Sequence, residues 1–204
     1  MTSGTVTSNV IGIYNTKNAT ITGGTVSGSD TTISNSGTLT LSNITMDSGT
    51  IGINSTGGIV NIGDNTTINV IDKAVSSSGT LNIGSKDKIV STTSPSLTGA
   101  NNGVINSGTF NFYDGVVSGG TAISGTVNEV EPGYKIVTNK TDTLTSATLT
   151  LIGDDEKVAV LNGINFTSLQ DAINSASDTN ESIITLYKDV TFESNITVPA
   201  NKNI

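Results

Sequence analysis

Asn35-Ser36-Gly37-Thr38-Leu39-Thr40-Leu41 is a block that the chain repeats. Related copies are Gly57-Gly58-Ile59-Val60-Asn61-Ile62, Ser78-Gly79-Thr80-Leu81-Asn82-Ile83 and Asn106-Ser107-Gly108-Thr109-Phe110-Asn111-Phe112. A weaker first copy is Asn15-Thr16-Lys17-Asn18-Ala19-Thr20-Ile21, and a weaker last one is Gly125-Thr126-Val127-Asn128. The steps between copies are 20, 21, 21, 29 and 17 residues, and the long step holds an insertion around 91–99 that includes Pro95. Self-similarity at such a period is the signature of a repeat architecture. Within a block the apolar residues alternate, which is the period of a half-buried strand. Leu39, Leu41, Leu81, Ile83, Phe110 and Phe112 therefore face inward, and Thr38, Thr40, Thr80, Asn82, Thr109 and Asn111 face outward. A slip of one residue would bury Thr and Asn in an apolar core, at a desolvation cost of about 1–3 kcal/mol per unpaired group.

Two further apolar rows keep the same period. One contains Ile13, Ile33, Ile53, Val75, Ile105 and Ile123, and a looser one contains Val26, Ile44, Ile68, Ile89 and Val116. Three short strands per period of about 21 residues predict an all-β fold, a right-handed parallel β-helix. No strand can bury its face alone, but stacked coils bury it together at about 4.8 Å per coil, so six coils span roughly 30 Å. Asn15, Asn35, Ser55, Ser77 and Ser107 fall at equivalent corners, mostly followed by Gly, which tolerates the positive φ of a tight turn. Stacked Asn and Ser side chains can also hydrogen-bond along the solenoid.

Composition narrows the function classes. Thr, Ser and Asn make up roughly 40% of the 204 residues, yet Val, Ile and Leu recur regularly, which argues for a folded β protein rather than a disordered chain. The net charge is −8 and all nine cations are Lys, with no basic cluster, so nucleic acid is not an expected partner. With no Cys there are no disulfides, thiol nucleophiles or thiolate metal ligands. No apolar run approaches the length of a membrane-spanning helix, so membrane insertion is not expected of this segment. Residues 1–10 lack the basic and apolar regions of a secretion signal, which would then lie upstream.

The repeat fades after Glu131-Pro132-Gly133. The division expected is coils over 1–131, connecting strands and turns over 132–157, and a cap with the first coil of a following β-helix over 158–204. Strands are expected at Lys135-Ile136-Val137, Ala147-Thr148-Leu149-Thr150-Leu151-Ile152 and Val158–Leu161. One short capping helix follows Ser168, an N-cap with Asp171 three residues on. Leu169, Ala172, Ile173 and Ala176 then form one apolar stripe. Further strand signals lie at Ile183–Leu186, Val190–Phe192 and Ile196–Val198.

The stretch Asn162-Gly163-Ile164-Asn165-Phe166-Thr167-Ser168-Leu169-Gln170-Asp171-Ala172-Ile173-Asn174, with Ile183-Ile184-Thr185-Leu186-Tyr187-Lys188-Asp189-Val190, resembles the opening of a pectin-lyase-like β-helix. In repeat-bearing surface proteins of Gram-positive bacteria such a segment caps a solenoid before its first coils. Ile196 to Ile204 resembles a first coil that normally continues. The resemblance implies a bacterial cell-surface, adhesin-like protein. Enzymes of this fold are mostly polysaccharide lyases and hydrolases, which use Arg or Lys with Asp-bound Ca²⁺, or clustered Asp with His. Arg and His are absent here.

Searched for chemistry, the chain offers scattered acids: Asp30, Asp47, Asp64, Asp72, Asp87 and Asp114, about one per turn, read as solvated. Glycoside hydrolysis needs a carboxylate pair roughly 5–10 Å apart, and no sequence spacing supplies one. Asp154-Asp155-Glu156 is dense but lacks calcium-loop spacing and reads as a charged turn. Gly23-Gly24 and Gly119-Gly120 are corners, not phosphate loops. Tyr14 and Tyr113 could stack on sugars. The chain is thus expected to be non-enzymatic, with no catalytic residue, cofactor or metal. The candidate interaction face is the outward row Thr20, Thr38, Thr40, Asn61, Thr80, Asn82, Thr109, Asn111 and Asn128, beside Asn18 and Thr126, with Ile59 interrupting it.

The function expected is a structural or adhesive module, extracellular on a bacterial surface. Its expected partners are further copies of itself end to end, and glycans or the surfaces of host or neighbouring cells. A carbohydrate-binding or degenerate polysaccharide-active β-helix, a phage-type fibre and an ice-binding solenoid remain alternatives.

Overall fold

The computed structural model describes residues 1–86, 93–191 and 195–204. The chain divides into two compact units, Met1–Val130 with Ile136–Leu149, and Glu131–Lys135 with Thr150–Ile204.

The first unit is a parallel β-solenoid of about six coils. Its first sheet stacks Thr5–Ser8, Gly24–Gly28, Ile44–Met46, Thr67–Val70, Ser96–Gly99 and Val116–Gly119. The second stacks Ile11–Asn15, Thr31–Asn35, Ile51–Ser55, Lys73–Ser77, Asn102–Asn106 and Thr121–Ser124. The third stacks the repeated block itself, as Asn18–Ile21, Thr38–Leu41, Ile59–Ile62, Thr80–Ile83, Thr109–Phe112 and Glu129–Val130. Paired residues of this sheet step by 20, 21, 21, 29 and 18 positions.

Alternation puts the apolar rows inside as the sequence requires. Leu39, Val60, Leu81 and Phe110 are fully buried in one row of the third sheet, and Leu41, Ile62, Ile83 and Phe112 fill the next. The Phe110 and Phe112 rings stack at 5.9 Å. Burying each such side chain contributes about 1.5–3 kcal/mol, so stacked coils gain what one coil could not.

Three assignments shift by one residue. In the second sheet Val75 pairs with Val104, which is buried, while Ile105 aligns with Ser76 and faces outward. At the corner, Ser77 pairs with Asn106 rather than with Ser107. Both slips arise at Val104-Ile105-Asn106-Ser107, where two adjacent apolar and two adjacent polar residues leave the period of two ambiguous. In the first sheet Ile68 pairs with Leu97 and Leu97 with Val117, so Val116 is an exposed neighbour of the true inward residue. Ile89, Asp87 and Phe192 lie outside the described residues.

The corner between the second and third sheets explains its polar residues. Asn15, Asn35, Ser55, Ser77 and Asn106 align in register and are each at most 7% exposed. Asn15 Nδ2 donates to Asn35 Oδ1 at 2.7 Å, and Asn35 Nδ2 donates to Ser55 Oγ at 3.0 Å. The glycines that follow are needed for close approach more than for φ. A Cβ on Gly37 would lie 2.0 Å from Lys17 O, and one on Gly79 would lie 2.3 Å from Gly58 O. Of Gly37, Gly58, Gly79 and Gly108, only Gly58 has positive φ.

The edge of the first sheet is finished differently from the coils. Val116–Gly119 pairs antiparallel with Thr145–Leu151, which in turn pairs with Tyr134–Lys140. The expected strands are present here, and their hairpin covers an edge that a bare solenoid leaves open.

The second unit is a three-stranded antiparallel sheet with one helix. Ala159–Leu161 lies between Ile164–Phe166 and Ile184–Leu186. Asn162 and Gly163, with φ of 52° and 81°, make the two-residue turn. The helix is Leu169–Ser175, and Ser168 Oγ accepts from Asp171 N as its N-cap. Ala172, Ile173 and Ala176 are buried, and Leu169 packs beside them against Ala159, Leu161 and Phe166. Ile196–Val198 and Val190 form no strand. Of the later strand signals, Ile183–Leu186 is present as Ile184–Leu186, and the expected coil over 196–204 has no strand.

Candidate functional site

The outward side chains of the third sheet fall into two files, because residues i and i+2 of each strand share a face and every strand is paired in register. The first file runs Asn18, Thr38, Ile59, Thr80, Thr109. The second runs Thr20, Thr40, Asn61, Asn82, Asn111, Glu129. Eight of the nine candidate residues are therefore brought together.

Asn128 is not among them. The last step is 18 residues, not 17, so Glu129 stands opposite Asn111 and Val130 opposite Phe112. Asn128 instead uses its side-chain oxygen to accept from Phe110 N at 2.7 Å, closing the backbone of the coil below. The signal for the longer step was Val130, the apolar residue that continues the Phe112 row.

The second file is an amide ladder. Asn61 Nδ2 donates to Thr40 Oγ1 at 3.4 Å, Asn82 Nδ2 to Asn61 Oδ1 at 2.8 Å, and Asn111 Nδ2 to Asn82 Oδ1 at 2.8 Å. All donate in the same sense along the solenoid. Asn61 and Asn82 each spend one N–H and one lone pair on their neighbours and keep one of each for solvent or a ligand, while Asn111 spends one N–H. Repeated at about 4.8 Å, this gives a neutral file of alternating donors and acceptors.

The face ends on a charge that sequence reasoning missed. Glu129 forms an ion pair with Lys86 and accepts from Tyr113 Oη at 2.7 Å. Partial burial pushes its carboxyl up, but the hydrogen bonds from Lys86 and Tyr113 outweigh that and hold it below the usual glutamate range. Tyr113 is consequently 7% exposed and no platform for a sugar ring, whereas Tyr14 is exposed.

The acids do not converge. Asp114 is buried rather than solvated, accepting from Ser94 Oγ at 2.6 Å and from Gly115 N at 2.7 Å. Asp72 is tied to Lys73 and accepts from Asn101 Nδ2 at 3.0 Å; these bonds hold its carboxyl low. In the charged turn, Asp154 pairs with Lys157 at 2.9 Å and Glu156 with Lys135. Among the described residues no three metal-ligating side chains gather into a site, and no helix is long and apolar enough to cross a membrane.

No family model matches the chain, and neither a curated protein nor a solved structure matches it.

Proposed function

We propose that this chain is a non-catalytic structural and adhesive module of an extracellular bacterial surface protein. The observation that supports it best is the uninterrupted in-register stack, in which three parallel sheets enclose apolar rows and turn polar, hydrogen-bonded faces outward. Such a body works by geometry. It is stiff because every coil is hydrogen-bonded to the next over three sheets. It offers a repeating neutral face to glycans or to another cell's surface. Coils stacked on coils also provide a way for copies to join end to end, since a heterologous contact of this kind does not close on itself and grows into filaments.

Negative-stain electron microscopy of the purified chain over a concentration series tests the assembly half of this reading. Uniform filaments that lengthen with concentration are expected. Discrete particles at every concentration overturn end-to-end assembly. The adhesive half is tested on an array of neutral and acidic glycans. Binding is expected to weaken when Asn82 and Asn111 are replaced by Ala, and unchanged binding removes the amide face from the function.

A further inference from the structure

The buried polar corner leaves two oxygens unpaired at one place. Asn35 Nδ2 carries two protons and uses both, on Gly37 O at 3.0 Å and Ser55 Oγ at 3.0 Å. Ser55 has a single hydroxyl proton and gives it to Gly57 O at 2.8 Å. Donation along the column stops there. Among the described residues Ser77 Oγ has no hydrogen-bond partner, and neither has Asn106 Oδ1, although Asn106 Nδ2 donates to Gly108 O at 2.7 Å. Ser77 is 4% exposed and Asn106 is 6% exposed, so bulk water does not compensate either atom. The two residues are register partners on adjacent strands, so the two orphan oxygens face the same corner. Asn35 spans from its own coil to the next; Ser77, shorter by about one heavy-atom group, does not.

We infer that this corner is a binding site for one internal water molecule, bridging Ser77 Oγ and Asn106 Oδ1. Both orphan oxygens then have a partner. The Ser77 hydroxyl donates to the water oxygen, and the water donates to the Asn106 carbonyl oxygen. Internal waters occur where polar groups lack partners and typically make two to four hydrogen bonds. A Ca²⁺ ion fits poorly, because it takes about six or more oxygen ligands and only two orphan oxygens are present. A water restores the coil-to-coil link that the serine interrupts, beside the coil whose step lengthens to 29 residues.

A crystal structure at high resolution, together with the Ser77→Asn variant, tests this. The expected result in the unmodified protein is a single density peak within hydrogen-bonding distance of both oxygens. In Ser77→Asn the peak disappears, the new amide donates to Asn106 Oδ1 as Asn35 donates to Ser55, and the thermal midpoint rises by about 2–4 °C. Direct contact between Ser77 Oγ and Asn106 Oδ1 without a peak overturns the inference. So does a peak with five or more oxygen ligands, or a midpoint that falls when sodium and potassium are replaced by choline, either of which identifies a cation. Should Ser77→Asn fail to fold, water-to-amide cross-relaxation at Asn106 Nδ2 in the unmodified protein decides alone, since a resident water gives a signal and an empty corner gives none.

Discussion

The same residue type carries different weight on the two faces of one strand. Asn35 lies 1% exposed in the corner and makes three side-chain hydrogen bonds, to Asn15, Gly37 and Ser55. Asn111 stands in the outward file with its donor on Asn82, half-buried beside solvent. Removing a partner from a buried network leaves desolvated groups unmade, whereas water replaces a partner at the surface. Asn35→Ala is therefore expected to lower unfolding free energy by about 2–4 kcal/mol, and Asn111→Ala by less than about 1 kcal/mol, in urea titrations of both variants. Equal losses would show that burial does not govern these amides. The inward and outward residues of the repeated block were legible, because Thr-Leu-Thr-Leu alternates without ambiguity. Ile105 and Asp114 were not. Ile105 follows an equally apolar Val104, and Asp114 lies just beyond the block, where alternation ends and burial depends on Ser94 from a different coil.

At the scale of strands and turns, the glycine column tests close approach against conformational freedom. A Cβ on Gly79 would meet Gly58 O at 2.3 Å and Gly57 C at 2.7 Å, whereas one on Gly57 would meet nothing within 4 Å. Gly58 O is held by accepting from Thr80 N at 2.9 Å and cannot give way cheaply, and overpacking costs about 1–3 kcal/mol. Gly79→Ala is expected to lower the thermal midpoint by several degrees, and Gly57→Ala to leave it unchanged or slightly raised through the less flexible unfolded chain. A midpoint that drops equally in both variants would show that close approach does not decide the cost at this column. The antiparallel hairpin makes a second prediction. Ala147 is fully buried opposite Val117, so Ala147→Lys is expected to loosen the strand that covers the sheet edge and to lower the thermal midpoint, since a charge would be left in an apolar site. An unchanged midpoint would mean that this strand does not help hold the fold. The existence of these strands was visible in the sequence. Their direction was not, because alternation is the same whichever way a strand runs.

For the whole molecule, acidification sets two effects against each other. Lowering the pH towards the isoelectric point near 4.2 removes the repulsion of a net charge of −8 and should stabilise the fold. It also protonates carboxylates that the fold holds ionised. Asp72 and Glu129 are held below their ordinary range, as are Asp154, Glu156 and Asp178 at the surface, each bonded to a lysine. A carboxyl whose pKa is lower in the folded state contributes stability that is present above its unfolded pKa and lost as pH falls through the folded one. The repulsion is spread over about 10,097 Å² of surface and is screened within about 8–10 Å at ordinary ionic strength. The ion pairs are contacts, and that of Glu129 is partly buried and joined by Tyr113. Loss of the pairs should therefore win. With no His or Cys to titrate, the thermal midpoint followed by circular dichroism is expected to be flat from about pH 6 to 8 and to fall below about pH 5. Glu129→Gln should lower the plateau and shrink the acid decline, since it removes the best-connected of these groups. A midpoint that peaks near pH 4.2 would mean that charge repulsion, rather than the lysine pairs, limits the stability of this solenoid.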